Sequence, residues 1–380
     1  MTLDSSTRLF TGFRCKNLKL KNRFVMPAMQ RGRCNNGRPS PQMVEYYRRR
    51  VEGGIALVIG ESAAVNHPSS TQQEAAATLF GPALNGWKEC IDTVNQAGGS
   101  MLLQLWHEGA VRKELSPDRP SLSPSGLVQA GKRNGRAATL SELDEIKAAF
   151  VEAALAAQSI GAAGVEVHAA HGYFLDLFLW EQTNQRNDGY GGSDIRHRVR
   201  YLTEIIADIR KVVGSEFIIS LRFSQWKEVD FEAKIVNTPE QLKTMLTILR
   251  SAGVDIFHVS TQNIFKSEWP GQSSMGLAGW TKSLTDAPVI AVGSVGLDTE
   301  LMDNLFGKDA SPTGKKGLQA VEQRLANGEF DLVSVGRAVI GDADWVNKVQ
   351  QGRWSQMKPF CRDDMITEWE MDFVLEAHQQ

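Results

Sequence analysis

The chain has 380 residues, with 42 Lys plus Arg against 44 Asp plus Glu and a formal net charge of −2. That balance leaves no electrostatic footprint for nucleic acid or an anionic membrane surface, and no apolar run approaches the length that crosses a bilayer. Cys15, Cys34, Cys90 and Cys361 are scattered without a CxxC pair, which argues against a disulfide framework, a zinc site or an iron–sulfur cluster. The N-terminal MTLDSSTRLF has no basic segment leading into an apolar core. The expectation is a soluble, cytoplasmic enzyme.

In chain order, short apolar runs alternate with longer stretches of helical period, the pattern of βα units around a parallel sheet. The strand-like runs are residues 23–29, 55–60, 101–105, 164–168, 217–222, 256–260, 289–292 and 332–336. After the third, Ile146, Phe150, Ala153, Ala157 and Ile160 recur at helical spacing. Ser141 and Asp144 set out a capping box for that helix, and Gly161 is a left-handed stop. Ile195, Val199, Leu202, Ile206, Ile209 and Val213 form one stripe closed by Gly214. Thr238–Pro239 opens the next helix as N-cap and first residue, Leu242, Met245, Leu249 and Ala252 are its buried face, and Gly253 ends it.

Eight such units predict an α/β fold of the (β/α)8 TIM-barrel class, one domain spanning 1–380, with an open doubly wound sheet as the runner-up. A typical barrel needs about 250 residues, so this chain carries extra loops, at 112–140, 173–194, 261–280 and 306–317. The first three follow strands and are expected to shape or cover the catalytic face. The last lies between helical stretches and reads as peripheral.

The fourth strand runs into His168-Ala169-Ala170-His171-Gly172-Tyr173. Imidazoles can donate to a carbonyl or nitro oxygen and a phenol can give a proton, so His168, His171 and Tyr173 are the candidate catalytic residues. A metal reading lacks a third ligand motif, and a merely structural HxxH is less expected at the carboxyl end of a barrel strand. Residues 178–193 read as a scaffold loop tied by its own Asn, Arg and Asp. Gly293-Ser294 and Gly336-Arg337 end strands seven and eight, where barrel enzymes often hold a phosphate. No GxGxxG follows a strand, which disfavours a Rossmann dinucleotide site.

Six segments in order resemble the old yellow enzyme family of FMN-dependent oxidoreductases: NRFVMPAM at 22–29, LQLWHEG at 103–109, HAAHGY at 168–173, TNQRNDGYGGS at 183–193, Leu221-Arg222, and DLVSVGR at 331–337. The resemblance implies bound FMN and a transient NADPH or NADH reductant. By it, Pro27, Ala28 and Met29 line the isoalloxazine, with Gln30 and Ser62 in the same cofactor set. Gln104 meets the pyrimidine edge, and Arg222 sits near N1 and the C2 oxygen. Gly293, Ser294, Gly336 and Arg337 hold the phosphate. His168 and His171 grip a substrate oxygen and Tyr173 protonates the substrate; no metal is implied.

The chain also departs from that family. Gln30 stands where Thr or Cys is usual, Trp106 where a small or polar residue is usual, and Trp180 where a small one is usual. The tryptophans either pack or reshape the pocket. Arg196 and His197 replace a Glu-Asn pair, a change expected to alter only local salt bridging. Residues 363–380 lack the arginine motif some members lend to a neighbouring subunit, so an oligomer is possible but not readable. The activity implied is NAD(P)H-driven reduction of an activated alkene, a small-molecule substrate. The alternative is oxidative dehydrogenation or demethylation of a small amine on the same barrel. A flavin-free phosphate-binding barrel would leave Gln104 and Arg222 without a purpose. A non-catalytic flavoprotein would leave the two histidines and Tyr173 without one.

Overall fold

A computed structural model describes residues 7–112, 120–305 and 307–365. Eight parallel strands form the centre: β1 (Phe24–Met26), β2 (Leu57–Ala64), β3 (Ser100–Trp106), β4 (Gly164–His171), β5 (Ile218–Lys227), β6 (Ile256–Ser260), β7 (Val289–Val292) and β8 (Leu332–Ser334). Each pairs with its sequence neighbours, and β1 pairs with both β8 and β2, so the sheet closes on itself. The closed (β/α)8 barrel is therefore the architecture, and the open sheet is excluded. Ala77–Thr78 adds a short pairing to the end of β2.

The principal crossover helices are α1 (Pro41–Glu52), α2 (Ala83–Gln96), α3 (Leu140–Ser159), α4 (Arg200–Val213), α5 (Pro239–Ala252), α6 (Leu277–Leu284) and α7 (Gly314–Ala326). Their apolar faces and the outward residues of the strands form the larger core. A hairpin, Phe13–Cys15 with Leu18–Leu20, precedes β1. Its Phe13, Leu18 and Leu20 pack against Leu57, Leu102, Ile218, Ile256, Ile290 and Leu332. These residues lie at or near the starts of their strands, so the hairpin plugs the amino-terminal mouth of the barrel.

The helix ends follow the expected chemistry with one correction. α3 is capped by Thr139, not Ser141: the Thr139 hydroxyl accepts from Glu142 N–H and Glu142 answers to the Thr139 backbone. Ser141 is already helical and its hydroxyl donates to Glu145. Gly161 follows α3 in the left-handed region, φ +89°. The stripe expected over 195–213 is broken at Val199, between a turn at Ile195–Arg198 and α4, and Gly214 has φ +75°. Thr238 caps α5 by accepting from Gln241 N–H, with Pro239 in the first turn, and Gly253 has φ +126°.

β4 and β5 extend further than the sequence suggested, through His171 and Lys227. Polar Ser224, Gln225 and Lys227 hid the continuation of β5, yet all three are buried. Each has a partner: Ser224 donates to Trp226 O, Gln225 to Val236 O, and Lys227 to Asp176. A polar side chain can continue a buried strand when its hydrogen bonds are met.

Candidate active site

In a regular strand, residues three apart point to opposite faces. His168 and His171 nonetheless face one cavity, because the β4–β5 ladder is irregular there. Ala169 pairs with Phe223 but His171 with Lys227, so β5 carries extra residues. His171 takes a left-handed backbone, φ +66°, unusual for a residue with a Cβ. Its N–H donates to Ser224 Oγ at 3.0 Å, and its carbonyl accepts from Glu228 N–H at 3.1 Å. The two imidazoles end 5.2 Å apart, edge to face, with the Tyr173 ring 5.0 Å from His168.

The cavity, about 360 Å³, opens at the carboxyl ends of the strands. Its lining brings together Pro27, Ala28, Met29, Gln30, Ser62, His168, His171, Tyr173, Arg222, Gly293, Ser294, Gly336 and Arg337. Gln104 is the exception among the predicted residues. It lies one layer deeper, wholly buried, accepting from Ser62 Oγ at 2.5 Å and donating to Glu166 Oε1 at 2.7 Å. Register places Ser62, Gln104, Glu166 and Ser220 side by side on β2, β3, β4 and β5. Ser220 Oγ donates to Glu166 at 3.0 Å and His258 Nδ1 meets it at 2.8 Å. The barrel interior thus rises from an apolar plug through a polar layer to the cavity.

Charge and burial set the protonation of the site. Burial, followed by the Arg222 charge, pushes the His168 imidazole down to about 3, and the same two causes push His171 well below its ordinary value. Both rings are neutral near pH 7. His168 Nδ1 accepts from Ala170 N–H at 3.3 Å, which assigns the ring proton to Nε2. His171 Nε2 is 2.8 Å from Ser260 Oγ, and the Trp226 ring lies against its ring, tilted by 30° with centroids 4.5 Å apart. Burial would raise the Glu166 carboxyl, but His258, Arg222 and the Gln104 amide overcome it and hold it at about 2. Tyr173 donates to Glu228 Oε1 at 3.1 Å.

The donor set fits a flavin mononucleotide. Arg222 donates to Ala28 O at 3.2 Å, while its buried Nε and the Nε2 of Gln30 have no protein partner among the described residues. Such donors are costly unless a ligand meets them. At the end of the cavity where a phosphate was expected, Gly293 has φ +152°, and a Cβ there would lie 2.6 Å from Thr261 O. Ser294, at φ +48°, and Arg337 close the same end. Arg337 donates to Ser294 Oγ at 3.2 Å, to Thr299 O at 2.7 Å and to Asn304. Among the described residues, no group of three or more His, Cys, Asp or Glu is placed to hold a metal ion. No helix of the described residues is long and apolar enough to cross a membrane.

The departures resolve individually. Trp180 is 1% exposed and stands off the cavity, its ring 6.0 Å from Lys227 Nζ, so it packs. Trp106 is also off the lining but meets Tyr173 edge-on at 5.5 Å and buttresses it. Arg196 pairs locally with Asp194. The 178–193 segment is tied by Asn184 to Phe178 O and Tyr190 O, and by Arg186 to Asp188, Pro124 O and Ala138 O. Of the three loops expected on the site, 173–194 contributes only Tyr173, and 261–280 contributes Thr261 and Gln262. The described part of 112–140 forms small strands and contributes no residue to this cavity, a correction to the expectation; Pro120, Leu122 and Arg136 line a separate hollow beside His67. Trp226, Glu228, Ser260, Leu297 and Leu301 line the cavity without having been singled out in the sequence. The carboxyl-terminal tail from residue 366 onward, with its Trp369, Met371 and Phe373, lies outside the described residues.

Residues 8–356 match the NADH:flavin oxidoreductase / NADH oxidase family. An NADH oxidase of Thermoanaerobacter brockii is 31% identical over 92% of this chain, which spans about half (52%) of that protein. An NADPH dehydrogenase of Halalkalibacterium halodurans is 26% identical over 89% of the chain and 92% of its own length. The old yellow enzyme of Pichia sp. AKU4542 superposes with a TM-score of 0.77 at 22% identity, covering 95% and 90% of the two chains. The chain therefore belongs to the NADH:flavin oxidoreductase / NADH oxidase family, that of old yellow enzyme, and is an FMN-dependent NAD(P)H oxidoreductase.

Proposed function

We propose that this enzyme reduces an activated carbon–carbon double bond, one conjugated to a carbonyl or nitro group. The observation that carries the reading is the irregular end of β4, where two neutral imidazoles and a phenol converge on one cavity. These groups present donors to a substrate oxygen, which suits developing enolate or nitronate charge rather than a cationic amine. FMN, when bound, supplies the hydride that NAD(P)H provides.

Pro27, Ala28, Met29, Gln30, Ser62 and Arg222 would hold the isoalloxazine, and Gly293, Ser294, Gly336 and Arg337 the phosphate. Gln104 would act from the layer below, fixing Ser62 through the 2.5 Å bond. The fixed charge of Arg222 favours the reduced, anionic form of the cofactor. His168 and His171 orient the substrate oxygen and stabilise the charge that builds on it; one preorganised donor of this kind is worth ~3 kcal/mol. Tyr173 delivers the proton to the α-carbon. The whole chain serves as one FMN-binding domain.

Anaerobic mixing of the NADPH-reduced enzyme with 2-cyclohexenone or a nitroalkene tests this. Rapid return of the oxidised flavin spectrum is expected, while the oxidised enzyme stays yellow in trimethylamine. Bleaching by the amine, with no reoxidation by either alkene, would reverse the assignment.

A further inference from the structure

Glu228 follows the last residue of β5 and lines the same cavity as the substrate groups. Its N–H is bonded to His171 O, so the carboxylate is anchored to the bulge that aims the histidines. Its Oε1 accepts the Tyr173 hydroxyl at 3.1 Å. A resting phenol held in this way directs its proton at a carboxylate and away from a substrate carbon.

We infer that Glu228 is a positioning and proton-relay residue for Tyr173, holding the phenol at rest and restoring its proton after each turnover. The inference rests on Tyr173 being the proton donor. Hydride supplied through the flavin adds to the β-carbon, and the electron pair of the double bond takes the phenol proton at the α-carbon. The Tyr173 O–H bond breaks and its electron pair stays on oxygen. A protonated Glu228 then gives its proton to that oxygen, and the carboxylate recovers one from water at the cavity mouth. With Glu228 ionised, the phenol proton is committed to the carboxylate and the transfer stalls.

The surroundings favour such a handoff. Glu108, from the segment after β3, is the second carboxylate near the phenol, and Thr71 and Gln73 hold it in place. Lys227, beside Glu228 on β5, is spent on the buried Asp176. Arg222 lies deeper, near His168 and His171. Burial, then Glu228 and its hydrogen bond, and then Glu108 raise the phenol far above its ordinary value, so a lasting tyrosinate is disfavoured. Glu228 is exposed at the cavity mouth, where partial desolvation and Glu108 raise its carboxyl against the lowering effect of the Tyr173 bond.

The test follows reoxidation of the reduced enzyme between pH 5 and 9 by 2-cyclohexenone, and separately by ferricyanide, which needs no proton at carbon. In the unaltered enzyme the enone-to-ferricyanide rate ratio is expected to fall about tenfold per pH unit above the Glu228 titration. In Glu228→Gln, an isosteric change, that falling limb should vanish. An infrared difference spectrum across the same pH range should contain a protonated-carboxyl band that Glu228→Gln lacks. A pH profile and band that the substitution leaves in place overturn the relay alone. Reoxidation by ferricyanide but by no alkene overturns the ene-reductase reading, and the relay with it.

Discussion

Tyr173 lines the cavity with its ring against His168 on one side and Trp106 on another, and its hydroxyl on Glu228. Removing that hydroxyl should separate the two halves of turnover. Tyr173→Phe is expected to slow flavin reoxidation by an enone by roughly a hundredfold or more, the worth of a placed general acid. Flavin reduction by NADPH should change little. Stopped-flow measurement of both steps decides it, and equal losses in each would remove the proton-donor role. His168, His171 and Tyr173 were legible in the sequence because they share one short segment at a strand end. Glu228 and Trp226 were not, because they reach the cavity only through the buried polar continuation of β5. Ser260 ends β6 and Leu301 opens a short helix well after β7, and no local pattern links them. Gln104 was expected at the flavin's pyrimidine edge from the resemblance alone; its partners Ser62 and Glu166 lie on other strands, and only the register shows it one layer down.

At the scale of elements, starts and stops were written in local chemistry. Gly161, Gly214 and Gly253 all end helices in left-handed conformations, as their positions after apolar stripes suggested. The start of α3 misled because Thr139, Ser141 and Asp144 all suit helix starts, and only the backbone bend selects among them. Thr139 is extended, ψ 164°, and its pairing with Glu142 is reinforced by Arg136, which bonds both Glu142 oxygens. Thr139→Ala should cost about 1 kcal/mol of stability, typical for a lost cap. Ser141→Ala, which removes only a surface contact to Glu145, should cost less. Urea midpoints for the two variants check the order.

For the molecule as a whole, buried neutral histidines link stability to pH. His168 titrates near 3 when folded, whereas an unfolded imidazole titrates near 6.5. The unfolded chain therefore binds the extra proton first, and stability is full above about pH 6.5 and lost progressively as pH falls toward the folded value. His107 and His171, pushed down chiefly by burial, act in the same direction. For His168 alone the loss from pH 7 to 5 is about 2 kcal/mol. His168→Asn should flatten the pH dependence of the unfolding free energy from urea titrations by roughly that amount. An unchanged slope would mean that this imidazole charges within the folded state.

The barrel closes through its two shortest joints. β1 meets β8 only at Phe24–Val333 and Val25–Ser334, and meets β2 only at Val25–Leu57 and Met26–Val58. The chain resumes from these strands directly into Pro27–Gln30 on one side and Gly336–Arg337 on the other, both on the cavity wall. A cofactor grasped by both would act as a non-covalent crosslink between the first and last strands, joining the two ends of the fold. The amides of β1 and β8 should then be the ones whose deuterium uptake slows most when FMN is added, more than those of the long β4–β5 pair. Cofactor loss and opening of the seam would then be one event: the enzyme that gives up its colour would also be the one that begins to unroll.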